Sequence, residues 1–275
     1  MVSVGTNGCR ELVGDCWSNH RAYRVLPRDM RATWGAVVIG VLLSASCALL
    51  ANPICLLWRE ILKFWSEGSG LAAVMSSSMT LPGIGEVSIP YLSLPADHPG
   101  TGAIILSICL VAVVLTVSAL LPQRLKPLAF LMRAIAVVHV TAILRFGLNF
   151  GPFPHDLPSY SAMMMSLGLI IVIVAPAMLG LTYYIFDISV WKKAALTILL
   201  IGHLLVFIPC QYAAQVYFIH TFNLLYMPVM YMFFGVLADS LVFVCFYAWG
   251  MSWKSRLNIA GSTGVTNCSL GGQDR

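Results

Sequence analysis

Charge is what this sequence has least of. Only 10% of its 275 residues are charged, while 59% are hydrophobic. Soluble domains run at about 25% charged and about 45–50% apolar. A chain this poor in charge is solvated by lipid over most of its length. The formal net charge of +5 is no nucleic-acid signal, because in a membrane protein the placement of basic residues matters more than their number. Several motifs are missing as well. No CxxC and no Cys/His spacing of zinc-site type occurs among the eight cysteines. No nucleophile elbow, Walker loop, HExxH or Gly-rich dinucleotide fingerprint is present. No apolar run of signal-peptide type precedes Arg31. No internal repeat is detectable, which disfavours a transporter of inverted repeats. The sequon at Asn267 falls in a tail expected on the inner side.

Long apolar runs fill the space that charge leaves. A membrane-spanning helix needs about 20 apolar residues. The chain supplies six such runs, at about 34–55, 101–121, 128–148, 161–187, 194–216 and 227–251. The expected fold is an all-α polytopic membrane protein with six transmembrane helices. Residues 1–33 and 252–275 are read as polar tails, and 56–100 as an outer cap. A start at Met30 would leave a short basic flank, so the first 29 residues are expected either to precede the true start or to be a disordered tail. Within the cap, Leu57, Ile61, Phe64 and Trp65 recur at helical spacing, which predicts an interfacial amphipathic helix. TLPGIGEVSIPYLSLP then alternates between Pro/Gly punctuation and apolar residues, which predicts a short hairpin or paired extended segments. Pro176 lies near the centre of the fourth span, where it removes a backbone hydrogen bond and is expected to kink the helix, and Pro209 lies towards the far end of the fifth.

Basic residues set the expected orientation. Arg28 and Arg31, Arg124 and Lys126, Lys192 and Lys193, and Lys254 and Arg256 all fall on one side of a six-span chain. The positive-inside rule makes that side cytoplasmic, with both termini inside. The setting expected from this is a bacterial inner membrane, with the lipid bilayer and other membrane or envelope proteins as partners and no nucleic acid.

The chemical candidates form two groups. His139, His203 and Asp239 lie near the middles of three different spans by helix rise. Ionisable groups in a bilayer are costly and usually face the bundle interior, so these are read as an intramembrane polar cluster, either structural or a proton or ion relay. His139 and His203 could also serve as axial ligands of one haem, the only cofactor the residues suggest. The second group is on the outer face: His155, Asp156, His98 and Arg145, with Asp97 and His220 nearby. It could hold a divalent metal or act as acid and base on a lipid-linked substrate, although adjacent residues of an extended loop point in different directions. No metal site is assigned. Met163, Met164 and Met165 point to different sides of a helix, so the methionines are read as packing. Cys55 and Cys210 could approach one another near the outer ends of their helices.

The functional expectation is a non-enzymatic membrane subunit of an envelope assembly, in polysaccharide synthesis or export. One alternative is a proton-coupled transporter or channel using His139, His203 and Asp239. The other is an enzyme at the outer face.

Overall fold

The structure is a computed structural model that describes residues 30–70, 73–148, 156–183 and 190–252. It is mostly helical, with one small sheet. Helices are α1 (Met30–Leu49), α2 (Ala51–Ser69), α3 (Thr101–Leu120), α4 (Lys126–Gly147), α5 (Leu157–Thr182), α6 (Val190–Phe222) and α7 (Leu224–Ser252). Strands β1 (Ala73–Leu81) and β2 (Gly85–Ser93) pair antiparallel between α2 and α3. Five helices, α3 to α7, are long and apolar enough to cross a membrane. The count reaches six if the bent pair α1 and α2 forms one span. Of the expected tails 1–33 and 252–275, residues 1–29 and 253–275 lie outside the described residues, while residues 30–33 and 252 belong to α1 and α7.

The first span departs from its expected course. It does not run unbroken to residue 55; α1 ends at Leu49 and α2 leaves it at 61°. The reason is Pro53, which has no N–H to give the Leu49 carbonyl and is tolerated only in a first helical turn. The amphipathic segment is helical but buries a different face. Ile54, Trp58 and Leu62 are buried, whereas Leu57 and Phe64 are exposed. The polar side of α2 meets the hairpin, where Arg59 donates to Ser76 Oγ at 2.9 Å.

The hairpin closes through Pro82 to Ile84, with Gly83 and Gly85 at φ of 79° and 100°. These left-handed values favour glycine. Its β2 strand buries Val87 and Ile89 in strand alternation and, after the parity changes at Pro90, Leu92, and it packs on α2 and α5. Strand β1 starts at Ala73, earlier than the alternation in the sequence suggested, because its serines pair through backbone rather than apolar side chains.

Core packing uses small residues where helices meet. A Cβ on Gly40 of α1 would lie 3.0 Å from Gly180 Cα and 3.1 Å from the Pro176 carbonyl of α5. On Gly168 of α5 it would lie 2.5 Å from Ile208 Cγ2 and 3.1 Å from Tyr212 Cε2. Close backbone approach at small residues is how helices pack when lipid offers no hydrophobic drive between them. The α5–α6 turn is tied reciprocally: Lys193 Nζ donates to the Tyr183 carbonyl at 2.9 Å, and Tyr183 Oη donates to the Lys193 carbonyl at 2.8 Å. Helices α3 and α4 form a more peripheral pair. Arg133 donates to Ser118 Oγ at 3.2 Å and to the Ser118 carbonyl at 3.4 Å, which caps the end of α3.

The centre of the core is Trp58, fully buried beside Gly168. Its indole N–H donates to the Leu205 carbonyl at 2.9 Å. That carbonyl is free because Pro209, four residues on, has no N–H to offer it. The Pro209 vacancy in α6 is therefore filled from α2.

This arrangement makes a double-mutant test. Trp58→Phe should cost about 1–3 kcal/mol by leaving a buried carbonyl unpartnered. In a Pro209→Ala background the backbone satisfies Leu205, and the same change should cost clearly less. Thermal unfolding of the four purified variants in one detergent measures the coupling.

Candidate functional site

One group of buried polar side chains gathers where α5, α6 and α7 meet. Helix α7 contains a π-helical segment, Met230–Leu237, followed at once by Asp239. A π segment shifts the backbone register and leaves carbonyls open to side chains, and such segments recur at functional sites. Here the Phe234 carbonyl accepts from Gln215 Nε2 at 2.7 Å and also from Gln211 Nε2. Gln215 Oε1 in turn accepts from Tyr160 Oη at 2.7 Å. Gln211 Nε2 also reaches Asp239 Oδ1 at 3.3 Å, and Tyr212 Oη donates to Asp239 Oδ2 at 2.9 Å. Tyr160, Tyr212, Gln215 and Asp239 are all buried.

These spacings follow from the helix period. Gln211 and Gln215 are four residues apart and share one face of α6, with Tyr212 beside them. Asp239 lies in the first turn of the regular helix that follows the π segment, so its carboxyl returns towards α6. As an acceptor, Asp239 uses two of roughly four lone-pair positions of a carboxylate. Gln211 Oε1 is buried without a partner. The network is not a continuous proton wire, because both glutamines donate to the same carbonyl.

The three mid-span residues singled out from sequence are not brought together. His203 is exposed on α6, against Phe207 at 5.1 Å and Phe246 at 5.5 Å between ring centroids. Phe246 is about 10 Å along α7 from Asp239 by helix rise. His139 is buried on α4, stacked on Tyr226 at 4.9 Å, with neither ring nitrogen partnered. Tyr226 and Phe246 are separated by roughly 30 Å of α7. The imidazoles of His139 and His203 are thus far beyond the span of one haem iron. Helical depth counted along separate spans does not capture how those spans shift past one another.

Of the residues expected on the outer face, the stretch carrying Asp97 and His98 is brought to the end of α6 that carries His220. His155 lies outside the described residues. Asp156 caps α5: its Oδ1 accepts from Ser159 N at 3.2 Å. His98 and Asp97 are exposed, and the Asp97 carbonyl accepts from Leu224 N. His220 Nδ1 contacts the Pro95 carbonyl at 2.6 Å and ties the hairpin's exit to α6. Arg145 lies in the last turn of α4. Among the described residues, no three His, Cys, Asp or Glu side chains form a metal-holding group. Cys55 and Cys210 are both free thiols.

Sequence reasoning missed Tyr160, Gln211, Tyr212 and Gln215. One signal was available. Two amides and a phenol within five residues of an otherwise apolar helix are costly in lipid unless they face partners.

Removing one member should expose the others. Gln215→Leu strands the Tyr160 hydroxyl and half the Phe234 interaction, and should lower stability by about 1–3 kcal/mol. Gly168→Ala should displace Tyr212 and weaken its hold on Asp239. Infrared difference bands of the Asp239 carboxyl, compared between wild type and Gly168→Ala, report that displacement. No family model matches this chain, and no curated protein or solved structure is significantly similar to it.

Proposed function

We propose that this protein is a proton- or cation-coupled transporter or channel of the membrane, with Asp239 as the group that takes up the ion. One observation carries the reading: a carboxyl is buried among spanning helices, held by Tyr212 and Gln211, directly after a π segment. An ionisable group inside a membrane bundle is a functional candidate by default, because its burial is costly and must be repaid. The π segment supplies the second requirement, a helix that can change register. A shift from π to α pairing would move Phe234 and Asp239 against the glutamines of α6.

The full topology belongs to this proposal. Counting α1 and α2 as one bent span makes six, and the four basic clusters then share one side. That reading puts both termini in the cytoplasm of a bacterium's inner membrane and the hairpin outside, as an extracytoplasmic cap. A second reading, a non-enzymatic subunit of an envelope assembly handling polysaccharide, is favoured by the hairpin. Strand β1 is paired on one side only and carries exposed serines suited to a partner.

The test uses the full chain in sealed vesicles with a pH-sensitive dye inside. Imposed proton or sodium gradients should collapse with wild type. Asp239→Asn should slow this at least tenfold, a loss of about 1.4 kcal/mol or more in barrier terms. Tyr212→Phe should slow it less. Wild-type rates in Asp239→Asn, with unchanged thermal stability, would overturn the reading.

A further inference from the structure

The hairpin has two outer edges, and only one of them is guarded. Pro90 of β2 lies opposite Ser76 of β1. Proline has no N–H for the ladder, so it fits there only in a non-hydrogen-bonded pair. The backbone N–H and carbonyl of Ser76 therefore point away from β2. By the alternation of an antiparallel ladder, so do those of Val74, Ser78 and Thr80. Among the described residues, no backbone group outside the hairpin hydrogen-bonds to them. Ser76, Ser78 and Thr80 are exposed.

Proteins blunt a free edge with proline, charge or a bulge. Strand β2 carries Pro90 and Glu86. Strand β1 carries none of these: it reads AVMSSSMTL, and its register is unbroken from Ala73 to Leu81. The strand is also nearly the same in both directions about Ser77. Met75 mirrors Met79, Ser76 mirrors Ser78, and Val74 mirrors Thr80, both β-branched. Antiparallel pairing of β1 with a copy of itself about Ser77 sets these residues opposite one another. It also matches the hydrogen bonds. Outward-pointing Ser76 meets outward-pointing Ser78, Val74 meets Thr80, and Ser77 faces its own copy in a non-hydrogen-bonded pair. A slip of one residue would set outward groups against inward ones. Because β1 is uncharged, no like charges meet across the pair.

We propose that two copies of this chain join their hairpins edge to edge, β1 antiparallel to β1 about a two-fold axis at Ser77, into one continuous sheet. The occupant of the edge follows from its self-complementarity. A two-fold interface presents the same patch from both copies, so a strand that mirrors itself in residue type and in hydrogen-bond direction is suited to its own copy. Pairing consumes the free edge of each copy, and the guarded β2 edges end the sheet, which closes the assembly at two. The proposal is independent of ion uptake at Asp239, which lies inside the bundle.

The test places single cysteines in the full-length chain in vesicles, with wild type as the control for its native thiols. Residues facing one another in a non-hydrogen-bonded pair have Cα atoms about 4.5 Å apart, within disulfide reach. Ser77→Cys should therefore cross-link to a dimer under mild oxidation. Thr80→Cys is more exposed, yet it sits about 20 Å along the strand from its own copy and should give no more dimer than wild type. Ser78→Pro removes an outward donor and leaves the hairpin's own ladder intact. Counting labelled chains per vesicle should show dimer affinity lowered roughly 5- to 100-fold, with the thermal stability of the chain unchanged. Should that variant lose stability, Ser78→Lys, which sets a charge on the edge, should weaken the dimer without such a loss. The proposal is overturned if wild type stays monomeric at every protein-to-lipid ratio, which leaves the edge to another protein. It is equally overturned if Thr80→Cys cross-links as readily as Ser77→Cys, or if the dimer survives both Ser78 variants.

Discussion

A single indole hydrogen bond organises the core. Pro209 leaves the Leu205 carbonyl of α6 without its helical donor, and Trp58 of α2 supplies one. In water such a carbonyl would be satisfied by solvent. Inside an apolar bundle it must be met by protein, since each unmet group costs several kcal/mol. The Trp58 ring is then large enough to fill the space over Gly168, and this fixes α2 against both α5 and α6. Arg59 on the same helix carries the hairpin, and Tyr217 Oη, donating to the Trp65 carbonyl at 3.0 Å, secures the far end. The hairpin is therefore anchored by the same helices that build the polar node.

The node repeats this logic on the other side of α6. A backbone irregularity opens a carbonyl, here at Phe234 in the π segment, and side chains from a neighbouring helix fill it. Proline creates one opening and register shift the other. Both are answered by donors on a neighbouring helix, so α6 is held by polar contacts on two faces. The tight contact of Gly168 with Tyr212 joins them, because anything that enlarges the first site presses on the residue that holds Asp239.

The α3–α4 pair stands apart from this scheme. Its link to the core is a small apolar cluster in which Ala136, Ala142 and Ile143 meet Leu225 at the start of α7. His139 sits in that seam with its nitrogens unmet. The adjoining turn into α7 holds Asn223 at φ 127°, a conformation rare for any residue but glycine, with its side chain accepting from Leu225 N at 3.0 Å. A buried unsatisfied ring and a strained turn thus mark the joint between the two parts.

The sequence by itself determined the membrane class, most span positions and the hairpin, but not the break of the first span at Pro53. Hydropathy and period are local properties, so a single chain discloses them. The π segment was not legible, because Met230–Leu237 has no unusual composition; its register depends on the glutamines of α6. The partners of His139, His203 and Asp239 were also not legible. Equal distance along separate helices says nothing of how those helices slide or rotate when small residues let them approach. Tertiary structure alone decided that Asp239 faces Tyr212, that His203 faces outward, and that Trp58 answers the vacancy Pro209 leaves. Each depends on one helix meeting the backbone irregularity of another, and only packing brings those two together.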